Sequence, residues 1–140
     1  VKTWLDANAL VAVILGEPAM GPVLGLLREG NAAMTASNIV EVYDVASRRE
    51  GISAERVGEV VEPLFEGTIE PIPIDVALAR RAGEIRIEHY HRQTRPLSLA
   101  DAILLAAARP RDRIASSDSD VLAIATELGI ETIELPPSSG

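Results

Sequence analysis

Apolar and polar positions along this chain follow two alternating periods. Short apolar or β-branched runs are each followed by stretches in which apolar residues recur every three or four positions, the signatures of a strand and of a one-sided helix. Val1-Lys2-Thr3-Trp4-Leu5 is the first such run; it stops at Asp6, after which Ala9, Leu10, Val11, Val13, Ile14 and Leu15 continue as a helix. Gly16-Glu17-Pro18 breaks the pattern, and a helix starting near Pro18 runs to about Arg28, where Gly30 and Asn31 end it. Ala32-Ala33-Met34-Thr35 reads as a buried strand, and Thr35 or Ser37 caps a helix carrying Ile39, Val40, Val42, Tyr43, Val45 and Ala46, closed by Gly51. Ser53 caps the next helix through Val57, Val60, Val61 and Leu64, and Pro63 is expected to bend or end it. Ile69 to Ile74 is extended, with prolines that suit an edge strand.

The second half repeats the alternation. Asp75 opens a helix through Val76, Leu78, Ala79, Ala82, Ile85 and Ile87, which gives way to a polar, basic loop from His89 to Arg95. Leu99 to Ala108 forms the most apolar helix, Arg113 to Ser116 a strand, Asp118 to Leu128 a helix and Glu131 to Leu135 the last strand, leaving Pro136 to Gly140 as a frayed tail. Strands separated by helices of this length imply crossover connections, hence an α/β fold: a three-layer α/β/α sandwich around a short, mainly parallel sheet. No repeat or linker divides the chain, so residues 1–135 are expected to form one domain with 136–140 as a flexible tail. In such sheets the functional crevice lies beyond the carboxyl ends of the strands.

Composition narrows the chemistry. Apolar residues make up 47% but aromatics only 3%, so Leu, Ile, Val and Ala must fill the core. The chain has no cysteine, which excludes disulfides, thiolate metal sites and a cysteine nucleophile. It has neither an apolar run long enough to span a membrane nor a basic-then-apolar leader, so a soluble cytoplasmic protein is expected. A net charge of −8 opposes the usual basic surface of a nucleic-acid binder. That objection weakens if Asp6, Glu41, Asp101, Asp118 and Asp120 hold divalent cations, since the rest of the chain then carries only a small negative balance.

Each of those acids also has an ordinary structural reading. Asp6 directly precedes a helix and can cap it. Ser98-Leu99-Ala100-Asp101 can be a capping box with Asp101 in place of the usual glutamate. Asp118 and Asp120 stand at a helix start, where the dipole favours acids, and Glu41 shares a face with Ser37, Asn38, Val45 and Arg48 that could be solvated. Jointly they are harder to dismiss: Asp6 and Asp118 follow predicted strands, while Glu41 and Asp101 lie early in helices that can start at the same sheet edge. Carboxylates gathered in one crevice repel one another unless cations occupy it, and a set of hard oxygen donors selects magnesium or manganese.

Four segments carry a specific resemblance: Leu5-Asp6-Ala7-Asn8-Ala9-Leu10-Val11, Ser37-Asn38-Ile39-Val40-Glu41-Val42, Leu97-Ser98-Leu99-Ala100-Asp101-Ala102 and Ser116-Ser117-Asp118-Ser119-Asp120. In order, spacing and context the chain resembles PIN-domain ribonucleases, in particular the VapC toxins of prokaryotic toxin–antitoxin pairs. The resemblance implies a magnesium- or manganese-dependent endoribonuclease with Asp6, Glu41, Asp101 and Asp118 as its acids and Asp120 as a helper or alternate ligand. Asn8 and Ser117 resemble the polar residues flanking the family's site. The resemblance further implies a small antitoxin partner, with a basic side chain entering the acidic crevice, and a homodimer. Arg92 and Arg95, in the basic loop with His89, Tyr90 and His91, are candidates for contacts to RNA phosphates, against the alternative of a solvated helix end. Two rival readings remain: a phosphoryl-transfer hydrolase with Asp6 as nucleophile, which would want a second aspartate where Asn8 stands, and a non-catalytic interaction module whose acids only cap helices.

Overall fold

A computed structural model of the chain describes residues 1–138. Five strands, β1 (Thr3–Leu5), β2 (Ala32–Thr35), β3 (Ile69–Ile72), β4 (Arg113–Ser116) and β5 (Glu131–Glu134), form one sheet in the order β3-β2-β1-β4-β5. Every pairing is parallel, as crossover connections require. Helices α1 (Ala7–Leu15), α2 (Met20–Glu29), α3 (Ala36–Glu50) and α4 (Ala54–Gly67) alternate with the first strands, and α5 (Val76–His89), α6 (Leu99–Ala107) and α7 (Ser119–Glu127) with the later ones.

Two cores follow from the period of the strands, because successive side chains point to opposite faces. Leu5, Ala32, Met34 and Ala115 face α1 to α4, packing on Leu10, Val23, Val42, Val57 and Val61. Trp4, Ala33 and Ile114 face α5 to α7, packing on Leu78, Leu104, Leu105, Val121 and Ile124. Each of these Leu, Ile and Val side chains removed from water stabilises the fold by about 2 kcal/mol before entropy is counted. The expected three-layer α/β/α sandwich is therefore what forms.

Local differences have local reasons. The second helix starts at Met20, past Pro18, and its Ala19 cap makes no side-chain hydrogen bond. Pro63 does not end α4, which continues to Gly67. It sits on the exposed side of the helix, where water can reach the carbonyl its ring leaves unpaired, while Val57 and Val61 hold the other side to the core. The polar stretch after α5 is a tight turn, closed by reciprocal backbone hydrogen bonds between His91 and Arg95. Of the expected tail, Ser138 donates its hydroxyl to Glu17 Oε2 at 3.0 Å, and residues 139–140 lie outside the described residues. Among the described residues no single helix is long and apolar enough to cross a membrane.

Candidate active site

The carboxyl ends of β1 and β4 lie side by side, and the register Leu5 with Ala115 carries the pairing on to Asp6 beside Ser116. Asp6 caps α1, its Oδ1 accepting from Ala9 N at 3.1 Å, so the capping reading holds. Its other oxygen, Oδ2, accepts from the Ser116 hydroxyl at 2.6 Å. Ser116 Oγ in turn accepts from Asp118 N at 3.0 Å, tying the end of β4 to the end of β1. Asp118 caps α7, with Oδ1 accepting from Asp120 N and Val121 N.

Two further acids arrive from helices. Ser98 caps α6 by accepting from Asp101 N at 3.1 Å, which places the Asp101 side chain in the first turn. Thr35 caps α3 by accepting from Asn38 N, and Glu41 follows Asn38 by three residues on the same face. Asp6, Ala7, Asn8, Asn38, Glu41, Asp101 and Asp118 line one cleft of about 190 Å³.

The electrostatics of this cleft are those of crowded like charges. Burial pushes the Asp101 carboxyl up to about 7, the charges of Asp118, Asp6 and Glu41 add to that, and a hydrogen bond with Ser98 offsets part of it. Glu41 is raised by burial first, then by Asp6 and Asp44, against the opposing pull of Arg48. Asp6, almost wholly buried, is raised by desolvation despite the hydrogen bonds from Ser116 and Ala9 N. Asp112 is the contrast. It is also buried, yet it accepts from Lys2 N, Trp4 Nε1 and Arg109 N, and these donors outweigh desolvation and hold its carboxyl below the usual range. Asp112 gains enough donors from the chain to favour its charge, whereas the hydrogen bonds to Asp6 and Asp101 do not offset burial beside like charges.

A larger hollow of about 380 Å³ lies around Lys2, Trp4, Leu78, Arg81 and Arg109. Its two acids are already engaged, Asp112 as described and Asp75 as the cap of α5 accepting from Leu78 N. Size alone does not make it a reactive site, and the smaller cleft is the one that gathers acids from four elements.

The other sequence candidates are distributed unevenly. Asn8 lines the cleft. Asp120 does not; its N–H supports the Asp118 cap instead. Ser117 lines a neighbouring small hollow with Asn8, Pro136 and Ser138. Arg92 is exposed on the turn after α5, and Arg95 is drawn to Glu127 of α7 at 3.1 Å; neither lines the cleft. Sequence reasoning passed over Ser116 and gave Asn38 no site role. The available signals were a hydroxyl at the last position of an otherwise apolar strand and a buried amide one turn ahead of Glu41.

In kind, the donors fit a hard divalent cation: four carboxylates and two side-chain amides, with no sulfur. In placement, no three His, Asp or Glu side chains among the described residues stand close enough to share an ion as they lie. The acids surround a common space and feel one another's charge, and side-chain rotation would be needed to close them on one point.

A family model for the PIN domain matches residues 4–127. No curated protein matches the chain. Among solved structures, the chain is similar to one in a toxin–antitoxin complex from Klebsiella pneumoniae, with 22% identity over 87% of this chain and 91% of that one and a TM-score of 0.64. It is similar to a chain of DNA-bound VapBC from Salmonella typhimurium, with 20% identity, coverage of 96% and 98% and a TM-score of 0.67. For FitAcB from Neisseria gonorrhoeae the identity is 19%, the coverage 94% and 96% and the TM-score 0.65. At these identities the likeness establishes a shared fold.

Proposed function

Because the chain belongs to the PIN-domain family, we propose that it is a metal-dependent endoribonuclease and the toxin of a toxin–antitoxin pair. The observation that carries this reading is the convergence of Asp6, Glu41, Asp101 and Asp118, from four separate elements, on one cleft that no basic side chain lines among the described residues. Asp6, Asp101 and Asp118 would hold magnesium or manganese, with Glu41 completing or orienting the set. A divalent ion bound there lowers the pKa of water and offsets charge on a phosphoryl oxygen.

The remaining work falls to the chain's own residues. Ser116 fixes the orientation of Asp6 and, through Asp118 N, the start of α7. Ser98 sets the first turn that carries Asp101. Glu41, partly buried and raised by that burial and by its neighbours, would orient the metal shell from the α3 side of the cleft. The nucleophile reading would want a second aspartate two residues after Asp6, where Asn8 stands.

An acidic chain of net charge −8 repels RNA, so the substrate is attracted through the cation and not through a basic surface. The same acidity suits an antitoxin that inserts a basic side chain into the cleft. Homodimerisation and cytoplasmic RNA as the substrate pool complete the reading. The test is cleavage of single-stranded RNA by the purified chain with magnesium or manganese. Activity should stop with chelator, should be weak with calcium, and should be absent from Asp101→Asn. Cleavage that persists in excess chelator would refute the metal mechanism, and absence of both metal binding and cleavage would favour a non-catalytic module.

A further inference from the structure

Two amides line the cleft beside the acids, Asn8 and Asn38, and Asn38 is the buried one. It is 1% exposed and lines the cleft beside Glu41. Its position is set twice over in the first turn of α3: its N–H donates to the Thr35 hydroxyl at 3.2 Å, and that hydroxyl donates to its Oδ1 at 3.2 Å. Ser37 Oγ, 3.1 Å from Thr35 Oγ1, braces the same cap. With Oδ1 engaged, Nδ2 is left buried and without a hydrogen-bond partner. A buried donor in that state is unfavourable and is rare in native proteins unless a ligand answers it.

The sign of that donor indicates what answers it. An amide N–H repels a cation and seeks an oxygen with negative charge, whereas Asp6, Glu41, Asp101 and Asp118 seek the reverse. A ligand that satisfies both carries an anionic oxygen next to a bound cation, which describes a phosphodiester. We propose that Asn38 is a substrate-binding residue, its Nδ2 donating to a non-bridging phosphoryl oxygen. The inference rests on the nuclease reading above and deepens it. A neutral donor is chemically apt here, since it engages the phosphate without competing with the metal as a lysine or arginine would, and the Thr35 cap orients it before substrate arrives.

The test compares Asn38→Leu, Asn38→Asp and Asn38→Ser with the wild-type chain. Magnesium binding is read by calorimetry, and binding of a fluorescein-labelled single-stranded oligoribonucleotide by anisotropy in calcium, alongside kcat and KM for cleavage in magnesium. Asn38→Leu should bind magnesium within about threefold of wild type yet bind the oligonucleotide about tenfold more weakly and lose about a hundredfold in kcat/KM. Asn38→Asp should move the two affinities in opposite directions, magnesium tighter and RNA weaker, while the neutral Asn38→Leu separates a lost donor from added charge. Asn38→Ser, small and still a donor, keeps the question answerable if the other two fail to fold, and should fall between wild type and Asn38→Leu. Folded variants that bind and cleave RNA as wild type does would overturn the proposal while leaving the nuclease reading intact. So would losses of magnesium and RNA affinity of equal size, which would make Asn38 a support for the metal ligands. Wild-type protein that neither binds nor cleaves RNA would overturn both.

Discussion

Replacing Asp101 by asparagine keeps the shape of the side chain and removes its charge. In the folded chain its carboxyl is raised from 3.8 to about 7, first by burial and then by Asp118, with Asp6 and Glu41 adding to the effect. A rise of that size penalises the ionised form by roughly 4 kcal/mol. The unfolded chain releases this proton near its ordinary value, while the folded chain keeps it until near neutrality. Across that window the folded state therefore binds more protons, and stability falls as pH rises from about 4 to about 7, then levels off. Asparagine has no proton to lose, so Asp101→Asn should lack this decline.

Since the cleft is open to solvent on one side, half of the full figure is appropriate, or about 2 kcal/mol at pH 8 without metal. For a domain of this size that corresponds to a melting temperature about 4–8 °C above wild type. The assay is thermal unfolding of both proteins in chelator at low and high pH, followed by a magnesium titration. Wild type should gain stability with magnesium and the variant should gain little, because ligand binding stabilises only the state that holds the ligand. Cleavage should fall to near zero in the variant. A variant that melts at or below wild type at high pH, with the same pH dependence, would refute the crowded-acid argument. One that cleaves normally at limiting magnesium would return Asp101 to the role of a residue in a capping box.

Three further outcomes follow from the same geometry. Asp118→Asn should abolish cleavage while keeping the α7 cap, since asparagine also accepts from backbone N–H groups, whereas Asp120→Asn should cleave as wild type does; the reverse result would exchange their roles. Ser116→Ala removes the 2.6 Å hydrogen bond to Asp6, and should lower stability by about 2 kcal/mol and weaken metal binding about tenfold, as denaturant titration and calorimetry would show. Asp112→Ala strands the Trp4 indole N–H and two backbone donors, and should cost about 3 kcal/mol in denaturant unfolding with unchanged cleavage per folded molecule; loss of cleavage beyond the unfolded fraction would contradict its purely structural role.

Much of the local architecture was legible in the residues alone. The bounds of β2 and β4 follow their apolar runs, and the caps at Asp6, Thr35, Ser53, Asp75 and Ser98 stand where a polar residue meets the start of an apolar period. These features depend on partners three or four residues away, so the chain encodes them without reference to its fold. Asp6, Glu41, Asp101 and Asp118 were legible for a different reason: each lies in a segment that resembles the family, and each of those segments is short.

What depends on long-range register was not legible. Ser116 and Asp6 are 110 positions apart, and only the alignment of β1 against β4 makes them partners. The same alignment brings Asp112 to Trp4, a buried acid with no local cue to its role. Whether Asp118 or Asp120 faces the cleft depends on the direction of the chain as it enters α7, a matter of side-chain orientation that residues two apart in sequence cannot reveal. Arg95 reads as a free cation in a basic loop, yet the packing of that turn beside α7 commits it to Glu127. A sequence states which groups can ionise, cap or donate; the burial and neighbours that decide which of them remain unsatisfied exist only once distant strands have paired.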